Sequence, residues 1–494
     1  MSNEQPVHYE KKDEAYFKKR GLRKYAGIWS LWALGVGAVI SGHYSGWNLG
    51  LASGGWGGML VAATIIALMY LGLTFCIAEM SPALPHTGGA YSFARTTMGP
   101  WGGFVTGLCE NVEYVLTPAV IVYFIGSYLT GIFGTSPEFQ PVWWLAGYVL
   151  FIGLNIWGVE LSFKVTLVVT LLALGVLVVF WMSALPKIDF KVWALNIGPG
   201  GVLLPGGGGP FLPMGMAGAM AALPFAVWLF LAIEQLPLAA EESVAPQKDM
   251  PRGILCGMIT LIFSALMILW INPSVAGIGA HALGTSGEPL LDGFKAIFGG
   301  GTASALALVA LVGLVASFHT IIFAQGRQIY SLSRAGYFPT FLSVTHGSRK
   351  TPHVAMIAGG ILGLTIMLGL FFGLGAKKGS AVIGGTLLNM AVFGAMLSYI
   401  AQGISYMLLG RNHAHIERPY RSPFGDAGAW VTIVIALVTI YYQLLDSTYR
   451  MGVLGVAGWL AAGIVYFALV GRHRLILAPE EEFALKALNA KAAK

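Results

Sequence analysis

Glu110 and Glu113 stand three residues apart in a stretch that is otherwise apolar. On a helix that spacing puts both carboxyls on one face, and Thr117 continues the stripe. The helix that carries them is expected to start just after Gly99-Pro100. At ~1.5 Å per residue Glu113 then lies ~18 Å along it, near the middle of a ~30 Å hydrocarbon core. A carboxylate at that depth costs several kcal/mol unless it is paired or hydrated. The pair reads as a seat for a substrate ammonium, a proton carrier, or both. The competing reading is a protonated structural carboxyl bonded to a neighbouring helix.

Further residues could share such a site. His43 and Tyr44 sit in a polar run, Ser41-Gly42-His43-Tyr44-Ser45, at the centre of an apolar segment. Their side chains either meet a substrate or plug the interruption, while Ser41 and Gly42 offer backbone groups. Trp228 and Phe230 could face an organic cation, an attraction worth ~0.5–2 kcal/mol, or simply fill space. Glu234 is either a coupling or gating group or a structural carboxyl. His319 and Asn389 are each a relay or a satisfied structural polar group. Arg327 and Arg334 are expected to snorkel or to pair with acids near a helix end.

These residues need elements to hold them at depth. Residues 26–52 are long enough to span a bilayer, yet Gly35, Gly37, Gly42 and Gly46 puncture the segment. Freed backbone groups at mid-membrane are tolerated where they line a cavity, as in the broken helices of secondary transporters. Residues 212–240 repeat the theme, with Pro224 and Pro237 threatening the hydrogen-bond ladder. Twelve spans are expected in all, near 26–52, 58–80, 101–131, 142–159, 163–185, 212–240, 253–273, 303–333, 354–373, 380–409, 428–446 and 452–470. The two interrupted spans are the first and the sixth. They are five helices apart, which implies two five-helix repeats of inverted topology.

Composition agrees. Charged residues make up 10% of the 494, against roughly 25% in soluble domains. The fold class is therefore an all-α membrane protein, with a twelve-helix domain at 25–470 between tails at 1–24 and 471–494. The first tail is expected to be a surface amphipathic helix or disordered. The net charge of +7 reflects sidedness rather than nucleic-acid binding. With the N-terminus inside, only Lys187, Lys191, Lys295, Lys377, Lys378 and Arg450 of the 29 Lys and Arg fall outside. Both termini are then cytoplasmic, and the plasma membrane is the expected location. Cys76, Cys109 and Cys256 are scattered through apolar spans and give no metal spacing. There is no H-E-x-x-H, G-x-S-x-G or Walker loop, so neither an enzyme nor a cofactor is expected.

Four motifs carry a resemblance. ALPHTGGAYSFARTTMGPWGGFVTG at 83–107, EESVAPQKDMPRGI at 241–254, GRQIYSLSRAGYFPTFL at 326–342 and ERPYRSPFGDAGAW at 417–430 resemble, in order, the amino acid–polyamine–organocation superfamily. The resemblance implies the leucine-transporter-like fold of two inverted five-helix repeats. Within that superfamily, VISGHYSGWNLG, CENVEYVLTPA and GLNIWGVELSFK are most similar to ethanolamine permeases. Alignment on Gly99-Pro100 places Glu110 and Glu113 where arginine/agmatine antiporters contact substrate. Alignment on Glu242 and Pro246 places Trp228 at an aromatic substrate contact of those antiporters, with Phe230 beside it. Three departures stand out. The glycine-serine-glycine that cradles an amino-acid carboxylate reads Ile40-Ser41-Gly42-His43, which points away from a carboxylate-bearing substrate. His43 stands where ethanolamine permeases tend to carry an acid. Ala173 replaces a coupling lysine of the fifth helix, and Lys164, at that helix's start, cannot substitute for it. The implied function is uptake of ethanolamine or a close alkanolamine by alternating access, coupled to a proton or sodium. The rival readings are an amino-acid or polyamine carrier and a membrane amine sensor that moves nothing.

Overall fold

The computed structural model of the chain describes residues 7–375 and 379–492. Lys377, Lys378 and residues 1–6 of the first tail lie outside the described residues. Among the described residues nine helices are long and apolar enough to cross a bilayer. They are Trp47–Ala83, Ala90–Phe133, Pro137–Trp157, Val159–Lys187, Pro246–Ser274, His353–Leu374, Val382–Asn412, Gly425–Leu445 and Arg450–His473. They match the second to fifth, seventh and ninth to twelfth expected spans. The eighth span is Gly300–Arg334. The first and sixth fall short of unbroken length because each is interrupted. The molecule is thus the all-α membrane protein expected, with the broken pair of a leucine-transporter-like fold.

The third span is the axis of the bundle, lying along both the tenth and the eighth. Its depth register follows from one residue. Gly99 takes φ +77°, a conformation open to glycine, and the helix restarts at Pro100. The fourth, fifth, eleventh and twelfth spans turn large apolar side chains outward, among them Val149, Leu172, Leu437 and Trp459. Such a belt would be a liability in water and is the expected face towards lipid.

The first span unwinds in two steps. Ile28–Val39 is helical, and the single turn Ser41–Tyr44 continues it. Between them the ladder is pried open at one rung. The Ser41 N–H, which would meet the Gly37 carbonyl, instead donates to Ser317 Oγ at 2.8 Å, and Ser317 Oγ donates to the Gly37 carbonyl at 2.7 Å. A side chain inserted into the ladder is a recognised cause of a helix break. Full unwinding comes at Ser45-Gly46, where Ser45 is extended and Gly46 takes φ +95°. The break therefore reaches to the end of the polar run, because only Gly46 can adopt the reversed backbone without strain.

The sixth span starts as two short helices, Gly215–Ala221 and Leu223–Val227, the second with Pro224 in its first turn. It loses regularity over 228–232 and resumes as the tight helix Ile233–Glu242. Ala232 sits at φ +85°, costly for a residue with a Cβ. Glu234 offsets that cost locally, since its carboxyl accepts the Ala232 N–H at 3.0 and 3.1 Å.

Candidate functional site

The two breaks meet. A Cβ on Gly42 would lie 2.0 Å from the Trp228 carbonyl oxygen, and one on Gly46 would lie 2.7 Å from the Trp228 ring. Glycine at 42 and 46 is thus what lets the first span touch the opened sixth. The Gln235 amide ties the same pair together, donating to the Leu34 carbonyl at 3.1 Å.

Around this junction three acids converge. Glu113 faces the carboxyls of Glu234 and Glu110, and neither Glu113 oxygen meets a hydrogen-bond donor among the described residues. Glu110, one turn nearer the end that bears the termini, faces Tyr114 and Gln328 and keeps one oxygen without a donor. The hydroxyls of Tyr70 and Tyr399 lie 2.9 Å apart, and both tyrosines face Glu113 and Glu234. Phe230 packs on Tyr70 with ring centroids 5.6 Å apart. Ser41, His43, Tyr44, Glu110, Glu113, Trp228, Phe230 and Glu234 are at most 3% exposed, so this conformation is closed on both sides. The charged groups that face Glu113 are both acids. Like charges cannot all ionise in so dry a place, so the cluster must hold protons or a cation.

Some expected residues point elsewhere. The Tyr44 hydroxyl donates to the Ala173 carbonyl at 2.7 Å, and its ring lies against Gly313. Tyr128 donates to the Tyr44 carbonyl at 2.8 Å. His43 is fully buried, and neither ring nitrogen has a partner among the described residues. His319 lies apart, satisfied on both sides. Its Nδ1 accepts from the Asn155 amide at 3.0 Å, and its Nε2 is 3.2 Å from Ser162 Oγ. Asn389 bonds Gly385 in its own helix and Gln443 in the eleventh. Arg327 and Arg334 do pair with acids, Glu242 at 2.8 Å and Glu241 at 2.7 Å. Tyr70, Tyr399 and Ser317 belong to the site or its frame and were not singled out from the sequence. A tyrosine or serine in an apolar span carries no mark of which neighbour it meets. Among the described residues no group of three His, Cys, Asp or Glu is arranged to hold a metal ion.

Comparison with known proteins places this architecture. The chain is 29% identical over 437 residues to an uncharacterized transporter of Rhizobium meliloti (strain 1021), covering 86% of this chain and 87% of that one. It is 25% identical over 487 residues to the methylthioribose transporter of Bacillus subtilis (strain 168), with 94% and 96% covered. It is 23% identical over 479 residues to a branched-chain amino acid permease of the same organism, with 92% and 94% covered. The family model for amino acid permeases matches residues 27–467, both broken spans included. The chain therefore belongs to the amino acid permease family and is a multi-pass secondary transporter.

Proposed function

We propose that this protein is a plasma-membrane permease for ethanolamine or a closely related small alkanolamine, with both termini cytoplasmic and residues 25–470 as the transporting domain. The observation that carries this reading is the buried carboxyl cluster of Glu113, Glu110 and Glu234, in which the charged groups facing Glu113 are acids. Such a cluster suits a primary ammonium. Glu113, helped by Glu110, offsets its charge; Ser41 and the carbonyls of the first break accept its N–H bonds. Trp228 and Phe230 close over it, and His43 is left to meet the hydroxyl. A proton or sodium drives uptake as the first and sixth spans rock against the rest.

The absence of a carboxylate from the substrate is supported by how the first break uses its amides. Those of Ser41, His43, Ser45 and Gly46 are already engaged, by Ser317 Oγ, the Ile40 carbonyl, the Ser41 carbonyl and Asn48 Oδ1. An amino-acid carboxylate would compete for these donors. The names of the relatives, a branched-chain amino acid permease among them, favour the second reading, an amino-acid permease.

Glu113→Gln tests the assignment. The change keeps shape and removes charge. Losing a charge-assisted bond of about 1.5–3 kcal/mol should weaken ethanolamine binding roughly ten- to a hundredfold. Calorimetry on the folded variant reads this directly. Unchanged affinity, with a shifted melting temperature, would instead make Glu113 a structural carboxyl.

A further inference from the structure

The end of the bundle that bears both termini is closed by a layered ion network. The last turn of the sixth span carries Glu241 and Glu242. Glu242 takes a two-pronged bond from Arg327 of the eighth span, at 2.8 and 3.2 Å. Glu241 takes one from Arg334, at 2.7 and 2.9 Å. The Glu242 carbonyl also accepts the amides of Tyr25 and Ala26, and Val244 donates to the Ala26 carbonyl. The start of the first span and the end of the sixth thus form one unit, pinned to the eighth by two arginines. Opening this end must part those pairs.

The C-terminal segment is laid over the same seam. Its strand Leu475–Ile476 pairs in parallel with Tyr9–Glu10, and Ile476 donates to the Ala335 carbonyl at 2.9 Å. Helix Pro479–Ala492 then delivers two adjacent acids. Glu480 becomes a second carboxylate on Arg334, at 2.8 Å. Glu481 is fully buried and accepts from Tyr91 at 2.6 Å, Tyr9 at 2.8 Å, Tyr337 at 3.0 Å and the Arg95 guanidinium. One side chain therefore joins the start of the third span, the end of the eighth and both tails. Phe483 rests on His86, in the turn before the third span, with centroids 5.3 Å apart.

We infer that the C-terminal helix is a clasp, which holds this end of the transporter shut and must release before it opens. The reason is differential affinity, since a segment shifts a two-state equilibrium only as far as it prefers one state. In the closed state Arg95 is 1% exposed, and its salt bridge is to Glu481. A buried cation stripped of its partner is strongly disfavoured. Once the seam opens, water reaches Arg95 and Glu481 alike and the bond between them matters little. The tail accordingly grips the closed state and has little hold on the open one. Tyr9 makes the N-terminal tail a second strap on the same carboxylate.

The inference rests on the transporter reading, and its test uses a readout that needs no substrate. Hydrogen exchange is compared between the full-length protein and Glu481→Gln, which keeps the size of the side chain and removes its charge. Exchange should become about tenfold faster in residues 84–97 and 233–244, while Gly425–Leu445 stays unchanged. Glu480→Gln should not speed exchange, because Glu241 still neutralises Arg334 and burial already works against the charge on Glu480. Unchanged exchange in Glu481→Gln would overturn the clasp. So would a uniform rise along the whole chain, or failure of both variants to fold, since either would make the tail a static brace. An error in the assigned substrate leaves all of these outcomes as they are.

Discussion

At the scale of residues, the first break is held by Ser317, which accepts the Ser41 N–H and donates to the Gly37 carbonyl. Ser317→Ala removes both bonds and leaves a buried amide and carbonyl unpaired, at a cost of about 1–3 kcal/mol for each unsatisfied group. The variant should melt at a lower temperature than the native protein in a thermal scan. An unchanged melting curve would mean that the break re-forms its own ladder bond. Glu113 could be read in advance because a carboxyl in an apolar run has a depth that can be counted from Pro100. Glu234 was visible as an intramembrane acid, but its bond to the Ala232 amide was not, because that bond exists only once the backbone reverses at φ +85°. Ser317 gave no signal at all. A serine in an apolar helix usually bonds its own backbone, and only the neighbouring span's approach makes this one a bridge.

At the scale of elements, glycine and proline marked both interruptions, and the structure adds that they touch through Gly42 and Trp228. The tails are different. Nothing in the composition of 471–494 announces docking, because Glu480 and Glu481 look like any exposed acidic first turn until Arg334 and Arg95 are placed beside them. Docking should also depend on pH. Burial pushes the Glu480 carboxyl up to about 7, with Arg334 opposing and Glu241 adding to the rise. His86, beside Glu241, is pushed down to about 4 by burial and stays neutral above that. A docked acid with a raised pKa binds its proton more tightly than the released one. Docking therefore strengthens as pH falls from about 7 towards the ordinary carboxylate range, and is weakest above 7. His86 works in the opposite sense within that window, because once released it gains a proton below about 6.5, so it softens the trend. Exchange of residues 475–488, corrected for intrinsic rates, should be slower at pH 5.5 than at pH 8. Equal or faster exchange at pH 5.5 would contradict the linkage.

At the scale of the whole molecule, periodic apolar runs and the placement of Lys and Arg made twelve spans legible. Four ordered motifs made the family legible, and the match over residues 27–467 bears the family out. The substrate lies at a finer grain, in a few side chains around one junction. There the account makes its central claim: three acids and a break with four of its amides engaged suit an alkanolamine better than an amino acid. The direct measurement is uptake of labelled ethanolamine into liposomes containing the purified protein, with unlabelled ethanolamine, serine or glycine as competitor. The account predicts uptake that ethanolamine suppresses at concentrations at least about tenfold lower than serine or glycine, a gap of ~1.4 kcal/mol. Serine displacing the label as well as ethanolamine does would contradict it, and would assign the site to amino acids.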